Sequence, residues 1–225
     1  MSKTYQPLEK WNGILKGEHP IFILGNGPSL TDNELSLLDP YLTIGINRVF
    51  NAYEPTILFW QDRTVWFTSK KEIDKTDSIK VTRKGMVKPN LHPDYLFFAL
   101  SGNRNSAYPA NPQAEKLVGQ NITTGVTAQF AEAMSPSHII LLGVDCQFRD
   151  GQTDFYGNNR FHRKDMLQRC AEVSKRIKQG CKVPIHNCGL SDCWRTQRLE
   201  EVIAEINPPR HNKEYFHNIF RKEKK

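Results

Sequence analysis

The sequence predicts an α/β fold, a Rossmann-like, mainly parallel sheet flanked by helices, with a loop-rich insertion in its middle. Two observations lead to it. Ile21-Phe22-Ile23-Leu24 and His138-Ile139-Ile140-Leu141-Leu142 are unbroken apolar runs, each ended by glycine and polar residues. Such runs are strands buried on both faces, the mark of a parallel sheet. Between the runs lie stretches with helical apolar spacing, and that alternation is the α/β signature.

Taken in order, strand 21–24 runs into Gly25-Asn26-Gly27-Pro28-Ser29. Leu30, Leu35, Leu37 and Leu38 then predict a short helix over 30–38, with Asp32 and Glu34 near its positive end. Residues 42–46 and 56–60 are two further strands. From 62 to 120 the signal fades. Residues 70–80 are charged, and Lys88-Pro89-Asn90 and His92-Pro93-Asp94 break the chain. Residues 95–100 suit a strand, while 101–113 are nearly all turn formers and read as a mobile loop or lid, so about 84–120 is a lid or insertion. Regularity returns with helix 124–134, strand 138–142, helix 164–179, strand 182–185 and helix 192–206, which Asn207-Pro208-Pro209 stops. The expected organisation is an N-terminal extension (1–20), one nucleotide-sugar-binding domain (21–207) and a basic C-terminal tail (208–225).

At 225 residues the chain is long enough for one domain with a full core, without metal or disulfide staples. The mean hydropathy of −0.57 argues against a membrane span. The first residues lack the apolar core of a secretory signal, which points to the cytoplasm. Five cysteines without such a signal read as reduced thiols. Cys181, Cys188 and Cys193 with His186 lack the tight pairs of a structural zinc site, so no metal site is expected. The net charge is +7, and four of that surplus fall in 208–225. A basic tail adds nonspecific phosphate affinity, making nucleic acid a candidate partner.

The candidate site gathers at strand ends, where open α/β sheets bind ligands. Gly25 and Gly27 can take positive φ and admit a ligand to the backbone, Ser29 can cap the following helix, and free amides there attract anions. Asn26 presents an amide between the glycines. Asn47 and Arg48 follow the second strand, and Asp62 and Arg63 the third. Asn47 suits a ribose, base or phosphate; Asp62 suits a ribose hydroxyl or a metal; the arginines suit a phosphate. Thr123, Thr124 and Gly125 open a helix, and Asp145 closes the strand at 138–142. In the polar aromatic loop 148–162, His162 suits a general base and Tyr156 a hydrogen-bond donor to a leaving phosphate. No DxD sequence is present, which favours metal-independent chemistry.

The ordered set ILGNGPSL, GINRVF, NITTGVTAQFAEAM, IILLGVDCQFRDG, His162 and VPIHNCGLS resembles the bacterial family 42 sialyltransferases. It is also similar to a wider GNGPSL superfamily that includes MptE-like pterin pyrophosphokinases. The resemblance spans about residues 21–191. It implies a Rossmann-like fold and a CMP- or UDP-linked sugar donor as co-substrate, with no required cofactor. It places Gly25, Asn26, Gly27, Asn47, Thr123, Thr124 and Gly125 on the nucleotide and makes His162 the base. Of the family's two phosphate-binding tyrosines, the first position holds Gln147 and the second falls at Tyr156. The expected function is therefore glycosyl transfer to the hydroxyl of a glycan or of a hydroxylated nucleic-acid base, with a homo-oligomer as the expected assembly. Two alternatives stand beside it. One is a Mg-dependent pterin-type pyrophosphokinase with Asp62 and Asp145 as ligands; the other is a non-catalytic nucleotide- or nucleic-acid-binding protein.

Overall fold

The computed structural model describes residues 4–157 and 164–221, with side chains from 167 onward in the second stretch. Eight strands form one sheet: β1 (Ile21–Leu24), β2 (Leu42–Ile46), β3 (Ile57–Trp60), β4 (Ile79–Arg83), β5 (Leu96–Ser101), β6 (Lys116–Val118), β7 (Ile139–Leu142) and β8 (Ile185–Asn187). Their order is β6-β5-β4-β3-β2-β1-β7-β8, and every neighbouring pair is parallel. The chain winds outward from β1 to β6, then returns to the other side of β1 to lay down β7 and β8. The direction of winding thus reverses between β1 and β7, and a crevice opens at the carboxyl ends of those two strands. The parallel sheet flanked by helices is the fold class expected from the sequence.

Successive residues of β1 explain why its run is apolar throughout. Ile21 and Ile23 face one core, with Trp11, Phe130, Phe216 and Phe220. Phe22 and Leu24 face the other, with Leu30, Trp66, Ile73 and Val202. Among the described residues five α-helices cover these faces: α1 (Arg63–Lys75), α2 (Thr123–Ala133), α3 (Lys164–Gly180), α4 (Leu199–Ile206) and α5 (Lys213–Phe220).

Several local expectations are corrected. The helix expected over 30–38 is two 3₁₀ turns, Pro28–Asp32 and Leu35–Leu38. Helix α1 was hidden in a charged stretch because its buried face includes Ser69, where the backbone also leaves helical geometry (φ −136°). Strand β8 lies later than expected, and α4 is shorter. Residues 84–120 supply to the sheet β5, close to the strand expected at 95–100, and a further strand, β6. Both ends pack inward: Tyr5, Leu8, Trp11 and Leu15 are buried, as are Phe216 and Phe220 of the basic tail. Tyr5 and Arg221 meet in an antiparallel bridge. These aromatic residues carry apolar area that a solvated tail would leave in water, at about 25 cal/mol per Å². Among the described residues no helix is long and apolar enough to cross a membrane.

Candidate functional site

A cleft of about 990 Å³ lies along the carboxyl ends of the strands. Its walls bring together Gly25, Asn26 and Gly27 after β1, Asn47 after β2 and Asp62 after β3. Thr123 and Thr124 at the start of α2, Asp145 after β7 and Tyr156 complete this group of expected residues. Ser29 and Gly125 lie behind the wall, the first tied to Asp145 and the second packed so that a Cβ would meet Val173 and Gln120. His162 lies outside the described residues.

The glycine-rich bend has a different cause from the one expected. Gly27 has φ −63°, and Gly25 is not among the positive-φ glycines. What demands glycine is crowding by the segment after β7. A Cβ on Gly27 would stand 2.5 Å from Asp145 Oδ2 and 2.7 Å from the Gly143 carbonyl oxygen. Three amides of the bend are already spent. Gly25 N donates to Leu142 O and Gly27 N to Gly143 O, both at 2.8 Å. Ser29 N donates to Asp145 Oδ2 at 2.8 Å, and Ser29 Oγ donates to Asp145 Oδ1. Leu190 N donates to the same Oδ1 at 3.0 Å. The bend is therefore a staple between β1 and β7, and these three amides cannot also cradle a phosphate.

Asp145 is correspondingly a buried acceptor for three donors. Asp62 accepts from Thr123 Oγ1 at 3.3 Å. The two expected magnesium ligands are thus each engaged by the protein. Among the described residues no group of three or more His, Cys, Asp or Glu side chains could hold a metal ion, the Cys181–Cys193 region included.

Two other features of the cleft do point to a ligand. Asn26 Oδ1 and Asn47 Oδ1 are buried acceptors with no partner. Asn26 Nδ2 donates to Ile46 O at 2.9 Å, which fixes its oxygen on the other side. Asn47 takes the left-handed conformation (φ 55°), which asparagine tolerates better than most residues, and its amide donates to Phe59 O. A buried acceptor left unpaired costs about 1–3 kcal/mol, so such atoms call for a donor from outside the chain. The second feature is the start of α2. Its cap position is Ile122, which has no side-chain acceptor, and Thr123 and Thr124 line the cleft. The helix dipole and first-turn amides there suit an anion. With most amides of the bend at 25–29 already bonded, the helix start that suits an anion is that of α2.

The walls are also cationic. Arg48, Arg63, Arg83, Arg104 and Arg169 line the cleft, against Asp62, Asp145 and Asp154. Only the first two arginines were singled out in the sequence; the others stand at positions that only the sheet order brings to one edge. Arg48 Nη2 donates to Thr68 Oγ1 at 2.7 Å, and its guanidinium lies 5.7 Å from the centre of the Tyr156 ring. Phe155 N donates to Asn26 O at 2.8 Å, which ties the Tyr156 turn to the glycine-rich bend.

Cys146 and Cys170 form part of the same wall. The neighbouring Cys170 thiol, with help from Ser174 and Ser191, outweighs burial and holds Cys146 below the ordinary thiol range. Cys188 is pushed up to about 12 by burial and the nearby Glu200 charge. Thiolate, not thiol, is the alkylated species. Iodoacetamide at pH 8 is therefore expected to label Cys146 before Cys188 in the folded protein, with Cys188 labelled only on unfolding. Peptide mass spectrometry over a time course checks the order, and Cys188 reacting first would refute the assignment.

No family model matches the chain, and no curated protein matches it. Solved structures do. CstII from Campylobacter jejuni, in complex with the substrate analogue CMP-3FNeuAc, aligns over 75% of this chain and 80% of its own, at 10% identity and TM-score 0.44. CstII in complex with a trisaccharide acceptor and CMP aligns over 75% and 80%, at 12% identity and TM-score 0.39. The monofunctional alpha-2,3-sialyltransferase Cst-I from Campylobacter jejuni aligns over 79% of this chain and 77% of its own, at 17% identity and TM-score 0.50, a likeness of fold.

Proposed function

We propose that the protein is a glycosyltransferase that moves a sugar from a nucleotide-sugar donor to an acceptor hydroxyl. The observation that carries this reading is the pair of unpartnered oxygens on Asn26 and Asn47, placed at the reversal of the sheet beside the uncapped start of α2. Ribose hydroxyls or a base amino group supply the donors those oxygens lack, and the donor phosphate meets the α2 amides and the cleft arginines. The sequence resemblance favours a CMP- or UDP-linked sugar, and the fold likeness is to a sialyltransferase.

In this reading the acceptor oxygen attacks the anomeric carbon as the bond from that carbon to the phosphate oxygen breaks. The electron pair leaves with the nucleotide, whose growing negative charge the arginines and the helix start stabilise. Tyr156 donates to the leaving phosphate. His162, in the segment between β7 and α3, takes the acceptor proton. No metal is needed for these steps.

The test is a melting-temperature screen with CMP, UDP and their sugar conjugates, followed by donor-hydrolysis assays. A ligand at about 100 times its Kd raises stability by roughly 2.7 kcal/mol, a readily measured shift. One nucleotide series is expected to stabilise the protein, and His162→Ala to abolish hydrolysis of its sugar conjugate. No shift from any of these compounds at millimolar concentration would refute the reading, and full activity in His162→Ala would remove the assigned base.

A further inference from the structure

A second hollow of about 480 Å³ adjoins the cleft, lined by Arg104, Asn105, Asn121, Gln168, Arg169 and Glu172. Arg104, Asn121 and Arg169 are walls of both spaces. The composition of the hollow is selective. It has two guanidiniums, three carboxamides and one carboxylate, with no apolar or aromatic side chain. A strand of bases asks for aromatic platforms to stack on. Carboxamides beside guanidiniums instead suit a hydroxyl-rich ligand that carries negative charge.

Arg104 is the centre of the argument. Among the described residues it makes no hydrogen bond or ion pair, while its loop is firmly held. Gly119 N donates to Ser101 O at 2.8 Å, Asn103 N to Ser106 Oγ at 2.9 Å and Gln120 Nε2 to Ser106 O at 3.0 Å. Asn105 and Gln120 pair as an antiparallel bridge, and Asn121 Nδ2 donates to Asn105 Oδ1 at 3.1 Å. The turn-forming sequence read as a lid is thus stapled to the end of β6, and it presents an unpaired guanidinium from a fixed base. Arg104 itself is exposed and only its backbone is held, so the ordering cost of binding falls on its own side chain. Glu172 is the one carboxylate among the lining residues, against two guanidiniums.

We infer that this hollow is the acceptor subsite and that the acceptor is a sugar bearing a negative charge, as phosphate or carboxylate. The inference rests on the transferase reading: the hollow adjoins the space assigned to the donor, so an acceptor seated there lies next to the anomeric carbon. Its hydroxyl forms the new bond to that carbon, the bond to the nucleotide phosphate breaks, and the hydroxyl proton passes to the base.

The test measures binding of galactose, galactose 6-phosphate, glucuronate and a short single-stranded DNA to the full-length protein, by calorimetry, with and without saturating CMP. At least one charged sugar is expected to bind about tenfold or more tighter than galactose, the worth of a charge-assisted hydrogen bond. The comparison of galactose 6-phosphate with glucuronate tells which charge is read. Arg104→Gln should collapse the preference, and Glu172→Gln, which removes the opposing charge, should increase it. Equal affinity for galactose and both charged sugars, or no change in Arg104→Gln, overturns the proposal. Preferential binding of the DNA, lost in Arg104→Gln, also overturns it in favour of a polynucleotide. The outcome is separable from the donor reading: CMP binding with no charged-sugar preference refutes only the subsite. Charged-sugar binding that obeys both substitutions, with no binding of CMP, UDP or their sugar conjugates, keeps the subsite and refutes the donor.

Discussion

Asp145→Ala is expected to destabilise the protein by about 3–5 kcal/mol, because it strips two buried donors and one partly buried donor of their acceptor at once. Ser29 N, Ser29 Oγ and Leu190 N all converge on this one carboxylate. Leu190 follows β8, so the carboxylate joins segments after β1, β7 and β8 across the reversal of the sheet. In a chain of this size each kcal/mol moves the melting temperature by about 2–4 °C, so a drop on the order of 10 °C is expected. Asp145→Asn keeps one acceptor oxygen and should lose less. The order of melting temperatures, native above Asn above Ala, is the check. An alanine variant that melts within a degree or two of the native protein would show that water or a rearranged loop satisfies the donors, and that the carboxylate does not hold the bend.

How much of this was legible in the sequence follows from how local each cause is. Strands β1, β3 and β7 were readable because burial on both faces imposes an unbroken apolar run, a property of the segment alone, and β2 departs from such a run only at Thr43 and Gly45. Helix α1 was not. Val65, Trp66 and Ile73 keep helical spacing, but Ser69 on the same buried face interrupts it. The bend at 25–29 was recognisable as special, yet the reason for its glycines lies at Gly143 and Asp145, more than a hundred residues away. Nothing local distinguishes a glycine needed for close approach from one needed for positive φ. The unpaired state of Asn26 Oδ1 and Asn47 Oδ1 was likewise invisible, since it depends on every neighbour the fold supplies. Arg104 shows the same limit from the other side. A run of turn formers signals a loop, but whether the loop is loose or stapled depends on β6 and the residues that follow it.

Asn47→Gly separates binding from folding more cleanly than any other change at the cleft. The residue already sits at φ 55°, where glycine has no steric penalty, so the backbone needs no adjustment. The substitution removes a buried oxygen that the folded protein leaves unpaired. Stability is therefore expected to stay within about 1 kcal/mol of the native value, the lost desolvation cost offsetting the greater freedom of glycine in the unfolded chain. Binding should move the other way. If that oxygen accepts from the proposed nucleotide, its loss costs about 1–3 kcal/mol, or roughly 5- to 150-fold in Kd. A residue retained only for its backbone conformation would show neither loss, because glycine serves that conformation as well. Calorimetric titration with the nucleotide that stabilises the native protein, beside urea unfolding of both proteins, decides between the two. Unchanged nucleotide affinity in Asn47→Gly would mean that the buried oxygen does not face the ligand, and that the polar grip on the donor must be sought at the start of α2 and the arginines alone.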